Sequence, residues 1–310
     1  MSKRGAKKNT ILEVIVAIIF IVAGIMGYDF LGGQATSETA TRNILTAEET
    51  ENITLNGEDR IKIYFFDVGQ ADSILLVSNS KTMLIDAGTN EAGKTVVKNI
   101  QNLGISKIDY LVGTHPHEDH IGGLDDVINN FEIGTIYMPK IQTNTKTFED
   151  VLDAANNKGL KISSPKEGDI FKVGDIDCEI MLCDVELAQK NSNLNLSSIA
   201  IRATFKEQSY LFMGDCEKEN ENTRSWPQTN VLKVGHHGSD TSSSQNFLNQ
   251  VKPQIAIIQV GKDNSYGHPK QAILNRFSKL GTLVYRTDEK GTIVIESDGE
   301  NNKVYFMSEV

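Results

Sequence analysis

Three histidines and an aspartate crowd the segment THPHEDHIGG, directly after the apolar run Ile108 to Gly113. Imidazoles and carboxylates at the end of a buried strand need partners, and a metal ion can partner several of them at once. The chain must therefore fold so that this strand ends at a pocket and other strand ends bring further ligands to it. His115 and His117, two apart, can turn toward one ion, while the adjacent Asp119 and His120 can serve a second. Two divalent ions about 3.5 to 4 Å apart clamp an attacking water and the oxygens of a scissile group. The other histidines also sit in compact motifs: His236 and His237 in VGHHGS, and His268 in YGHPK.

From Ile61 onward the pattern predicts short strands in IKIYFFDVG, SILLVSN and KTMLIDAG, which are β-branched and aromatic runs bounded by Gly, Asn and Ser. Val96, Val97, Ile100 and Leu103 then recur at helical spacing before Gly104. IDYLVGTH reads as the next buried strand. A second helix is expected with Thr147 as N-cap, with Phe148, Val151, Leu152 and Ala155 on one face, and with Gly159 at its end. DIFKVGDIDCEIML, SSIAIRATF and SYLFMGD form a β-rich middle, with KEQ as a hairpin turn. Strand and helix alternate again through VLKVG, a helix near Ser244 to Val251, IAIIQVG, and a helix carrying Ile273, Phe277 and Leu280. TLVYRTD, GTIVIES and KVYFMSE close the chain. Strands open each half and helices follow, which predicts an α/β fold of two packed sheets with helices outside, an αββα sandwich.

H-x-H-x-D-H after a strand resembles the metallo-β-lactamase superfamily of hydrolases. The resemblance implies two divalent ions, Zn or Mn, held by His115, His117, Asp119, His120, Asp215 and His237. Asp215, in LFMGDC, matches the carboxylate that bridges both ions. Asp86, in LIDAG, matches the aspartate that orients the ligand loop. His237 is the preferred ligand of its pair, with His236 as a neighbour touching substrate or metal. Asp119, His236 and His268 are the expected catalytic residues. His268 precedes Pro269, which suits a first helical position, so His268 is expected at a helix N-terminus. There it could hold a phosphoryl oxygen or protonate a leaving alkoxide. The sequence departs from the family at its third motif, because no histidine lies between His120 and His236. Asn193, Asn195 and Ser198 stand there instead. Asn195 is either a weak amide ligand, which favours a harder ion such as Mn over Zn, or part of a plain turn into a strand.

Residues from about 61 to 297 look like the extracytoplasmic metallo-β-lactamase domain of ComEC-type DNA-uptake proteins, through FFDVGQADSILL, VLKVGHHGS and the GHP turn. The same sequence type occurs in secreted choline-phosphate esterases acting on teichoic acids. Phosphodiester hydrolysis is therefore implied more firmly than DNA, with nucleic acid and teichoic-acid decoration as rival substrates. A third reading is a non-catalytic binding module with a degenerate site, against which the near-complete ligand set argues. With one hydrophobic segment, the chain is not expected to form a channel, and no partner protein is expected.

That segment is Ile11 to Tyr28, apolar except for Glu13 and preceded by Lys3, Arg4, Lys7 and Lys8. A spanning helix needs about 20 apolar residues and a signal-peptide core about 7 to 15. Residues 1–32 are thus expected to be a signal anchor or a signal peptide. The basic flank holds the N-terminus in the cytoplasm, so the rest faces outward, tethered to the cell membrane by a single pass or secreted after cleavage. Residues 33–60, rich in Thr, Glu and Asn, read as a stem, and 61–310 as the hydrolase domain. Beyond the N-terminal segment the acids exceed the bases, and no Lys/Arg cluster appears that could grip a long polyanion. Three cysteines make no disulfide framework, and Cys178, Cys183 and Cys216 are expected as packing residues.

Overall fold

The computed structural model describes residues 59–307 and the two-residue strand Leu45–Thr46. The hydrophobic segment Ile11–Tyr28, its orientation and most of the expected stem lie outside the described residues. Among the described residues no helix is long and apolar enough to cross a membrane.

Two sheets stack face to face. The first has nine strands, in the order Leu45–Thr46, Asn302–Met307, Thr292–Ser297, Ile61–Phe65, Ile74–Ser78, Lys81–Ile85, Lys107–Val112, Glu132–Tyr137 and Ile162–Ser163. The second has seven, in the order Leu283–Arg286, Ile255–Ile258, Val231–Lys233, Gln208–Phe212, Ala200–Phe205, Ile176–Leu182 and Ile170–Val173. Period-two alternation explains the layering. Ile61, Ile63 and Phe65 point between the sheets, where they meet Ile201, Phe205, Phe212 and Ile257. Tyr64, Leu75 and Leu84 point the other way, onto Val96, Ile100, Val127 and Val151 of the helices Gly93–Asn102, Leu124–Asn130 and Lys146–Asn157. On the far side, Leu211, Leu232 and Ala256 pack under Phe247, Ile273 and Phe277 of the helices Gln245–Val251 and Gln271–Leu280. The architecture is the αββα sandwich, and each fully buried Ile, Leu or Phe contributes about 1.5–3 kcal/mol to it.

Two local expectations need correction. The helix expected from Thr147 has Thr145 as its N-cap, whose hydroxyl accepts from the Phe148 N–H at 3.3 Å. The Thr147 hydroxyl is engaged instead with the Asn90 side chain at 3.0 Å. Leu152 is 41% exposed, and Ala154 takes its place on the buried face. The last long helix begins at Gln271 with Lys270 as N-cap, so Pro269 is not its first residue and His268 lies outside its N-terminus.

Parallel pairing joins Lys81–Ile85 to Lys107–Val112, and Gln208–Phe212 to Val231–Lys233 and on to Ile255–Ile258. Their C-terminal ends thus open on one side, where α/β sheets place their ligand sites.

Candidate metal centre

Each of these strand ends delivers a polar side chain. Asp86 follows Lys81–Ile85 with a positive φ of 60°, and its buried carboxylate accepts from Thr114 N at 2.8 Å and from Thr114 Oγ1 at 2.7 Å. The His120 Nδ1–H donates to the same carboxylate at 2.8 Å, which fixes the tautomer and leaves Nε2 free. The His115 Nδ1 lies 3.2 Å from the Thr114 hydroxyl, leaving its Nε2 to face inward. The His237 Nδ1 donates to the Gln259 carbonyl at 3.0 Å, with the same result. Close packing holds the ligand loop down, since a Cβ on Gly122 would fall 2.2 Å from Asn90 N.

The inward-facing imidazole nitrogens converge on Asp215 and divide between its oxygens. His120 Nε2 lies 3.2 Å and His237 Nε2 3.7 Å from Oδ1. His115 Nε2 lies 3.8 Å and His236 Nε2 3.7 Å from Oδ2. Asp119 Oδ2 joins the first group, 3.3 Å from His237 Nε2, and His117 Nδ1 joins the second, 3.1 Å from His115 Nε2. Asp119, His120, Asp215 and His237 bring ligand atoms within 4.8 Å of one another. His120 Nε2, Asp215 Oδ1 and His237 Nε2 are buried and lack any hydrogen-bond partner. Orphaned polar atoms of this kind, all at one point, fit a divalent cation with N and O ligands.

The electrostatics agree. Burial opposes the charged form of His120, yet the carboxylates of Asp215, Asp86 and Asp119 outweigh it and hold the imidazole well above its usual pKa. Burial likewise opposes ionisation of Asp215, and His120 and His237 overcome it to hold the carboxyl well below its usual range. His237 is raised to about 10 against its burial by Asp215 and Asp72. Protons gather where the field favours cations. The backbone supports the same assignment: His236 and His237 both adopt left-handed conformations, with φ of 48° and 50°, a strain that clusters at functional sites.

Residues 66–262 match the family model described as the Metallo-beta-lactamase superfamily. The chain belongs to that superfamily. It is 30% identical over 254 residues to ComE operon protein 3 of Bacillus subtilis (strain 168), covering 75% of this chain and 32% of that protein. It is 28% identical over 242 residues to Competence protein ComA of Neisseria gonorrhoeae, covering 76% of this chain and 32% of that protein. The chain thus spans about a third of the length of these relatives. The metallo-β-lactamase fold protein YhfI from Bacillus subtilis superposes with a TM-score of 0.54 at 12% identity, over 77% of this chain and all of that one. Members of the superfamily are generally metal-dependent hydrolases, and the His/Asp cluster is a group of residues that could hold such a metal in this chain.

The structure brings His115, His117, Asp119, His120, Asp215, His236 and His237 together, with Asp86 behind them. It adds detail on three of the expected residues. His236, expected to touch substrate or metal, faces the oxygen of Asp215 opposite to the one that His237 faces, where the second group of ligands stands. Asn195 commits its Nδ2 to Glu217 Oε1 at 2.9 Å and lies 3.5 Å from His236, while its Oδ1 is buried without a partner. His268 lines the mouth with Gln70, Tyr266 and His117 in a cleft of about 360 Å³. The sequence reading missed Glu217 and the buried pair Lys233–Asp72, whose only signals were a lysine inside the apolar run VLKVG and acids beside the motifs. The cysteines carry no disulfide, and burial raises Cys178 to about 12 and Cys183 to about 11.

Proposed function

We propose that the chain is a dinuclear metal-dependent phosphodiesterase. The division of Asp215 between two imidazole sets carries the reading: its Oδ1 faces His120 and His237, its Oδ2 faces His115 and His236. His115, His117 and His236 would then hold one ion and Asp119, His120 and His237 the other, with Asp215 facing both sets. When bound there, Zn or Mn would supply the charge that polarises a phosphoryl oxygen and lowers the pKa of an attacking water. The protein's part is to fix this array through Asp86, Thr114 and Gln259 and to orient the ester in the cleft. Burial and the neighbouring His236 and His237 lower His268 to about 4, so it is neutral at neutral pH. A neutral imidazole suits holding a phosphoryl oxygen better than protonating a leaving alkoxide.

The likeness to competence proteins supports a nucleic-acid substrate. Tyr266, 64% exposed, stacks on His268 at 5.7 Å and offers a flat face at the cleft mouth. Such a face takes a nucleobase by stacking, or the quaternary ammonium of a choline-phosphate ester by cation–π attraction. The acid excess outside the N-terminus favours short or single-stranded substrates that expose few phosphates, and hence a weak salt dependence. Chelated protein should lose turnover of bis-p-nitrophenyl phosphate and regain it with added Zn or Mn. Activity that persists without metal would refute the proposal. Parallel assays of a short single-stranded oligonucleotide and p-nitrophenylphosphorylcholine rank the two substrates.

The basic flank before Ile11–Tyr28 supports an outward-facing domain attached to the cell membrane or released from it. Alkaline phosphatase fused after Arg60 should be active. A silent fusion, with an active cytoplasmic reporter at the same point, would reverse the topology.

A further inference from the structure

His236, like His120, has a carboxylate behind its outer nitrogen, and that carboxylate is itself held by a network of amides. The outer nitrogens of His115, His120 and His237 rest on Thr114, Asp86 and the Gln259 carbonyl. The Nδ1 of His236 instead lies 3.0 Å from the Thr241 hydroxyl and 3.3 Å from Glu217 Oε1. Glu217 is buried and tied at both oxygens: Asn195 Nδ2 donates to Oε1 at 2.9 Å and Asn193 Nδ2 to Oε2 at 3.1 Å. Its backbone N–H donates to Asn220 Oδ1 at 3.1 Å, and Asn220 Nδ2 donates in turn to the Leu196 carbonyl at 2.9 Å. The turn that carries Asp215 thus places a second carboxylate two residues later, behind a histidine whose backbone is held in the left-handed region.

We propose that Glu217 is a positioning residue that orients His236 toward Asp215 Oδ2, and that the Nδ2 groups of Asn193 and Asn195 hold Glu217 in place for that role. The inference rests on the dinuclear reading above. A carboxylate on the outer nitrogen of a ligating histidine fixes its tautomer and raises its basicity, and losing such a partner typically costs about 10- to 100-fold in metal affinity. The amides help to hold the arrangement, because each donates to one oxygen of the buried carboxylate.

The test is calorimetric titration of metal-free protein with Zn, alongside urea unfolding of the same metal-free samples. Wild-type protein should take up two ions. Glu217→Gln should weaken one binding event by about 10- to 100-fold and leave the other unchanged. Asn195→Ala, which keeps the carboxylate but removes one of its donors, should weaken the same event by less, and it serves if Glu217→Gln fails to fold. His236→Ala should abolish that event, and adding Glu217→Gln to it should change nothing more, because a residue acting through His236 has nothing left to act on. Wild-type protein that binds fewer than two ions would sink the dinuclear reading itself. Two ions in the wild type, with either both events intact in Glu217→Gln or a further loss in the His236→Ala background, would overturn the role of Glu217 alone.

Discussion

Asp215→Asn is expected to abolish uptake of both ions and to lower phosphodiester turnover by more than about 100-fold, since even a partner behind a ligand is worth about 10- to 100-fold. The substitution keeps the shape of the side chain and removes its charge. Its oxygens stand 3.2 to 3.8 Å from the Nε2 atoms of His120, His237, His115 and His236, so every imidazole that faces the cluster loses the same counter-charge. His117→Ala removes a group from one side only and should cost one ion of the two. Elemental analysis of purified variants, beside kcat on bis-p-nitrophenyl phosphate, separates the two patterns. Asp215→Asn protein that still holds two ions would remove the bridging role on which the mechanism depends.

The sandwich was legible because its strands are short, β-branched and bounded by turn residues, and because burial on alternate faces leaves a period of two in the sequence. The ligand cluster was legible because His115 to His120 lie in one segment. The rest was not legible, because it depends on backbone conformation or on a distant partner. His236 and His237 are adjacent in sequence, so spacing alone does not separate them, and the structure sets the two rings against different oxygens of Asp215 from left-handed backbone positions. Thr145 and Thr147 are chemically equal as caps, and the choice falls to Thr145 because Asn90, far away in sequence, occupies the other. Pro269 looked like a first helical residue, but the Lys270 N–H is spent on the Gly238 carbonyl and the helix starts at Gln271. Buried charges were the deepest gap, because an isolated Lys, Asp or Glu in a sequence reads by default as solvated.

Lys233→Met should cost about 3–5 kcal/mol, the usual result of breaking a buried ion pair from one side. Lys233 is fully buried at the end of Val231–Lys233, and its Nζ donates to Asp72 Oδ2 at 2.6 Å and to the Val234 carbonyl at 3.0 Å. The other oxygen of Asp72 lies 3.3 Å from the outer nitrogen of His237, so the pair also borders the metal cluster. Burial opposes ionisation of Asp72, and Lys233 and His237 reverse this and hold its pKa below the ordinary value. A carboxyl lowered in the folded state stabilises fully above its unfolded pKa, and that contribution is lost as pH falls through the folded value. Without Lys233 only His237 and His120 still offset the burial of Asp72, so its pKa should rise and the deficit of Lys233→Met should shrink as acid neutralises Asp72. For a domain of this size the loss at neutral pH corresponds to a fall in Tm of roughly 6 to 20 °C. Adding Asp72→Asn to Lys233→Met should recover part of it, because the uncompensated charge is then gone. Denaturant unfolding of the metal-free proteins across pH checks each step. A Lys233→Met variant within about 1 kcal/mol of wild type at neutral pH would show that water or a rearranged partner already satisfies Asp72, and that the pair does not hold this face of the cluster in place.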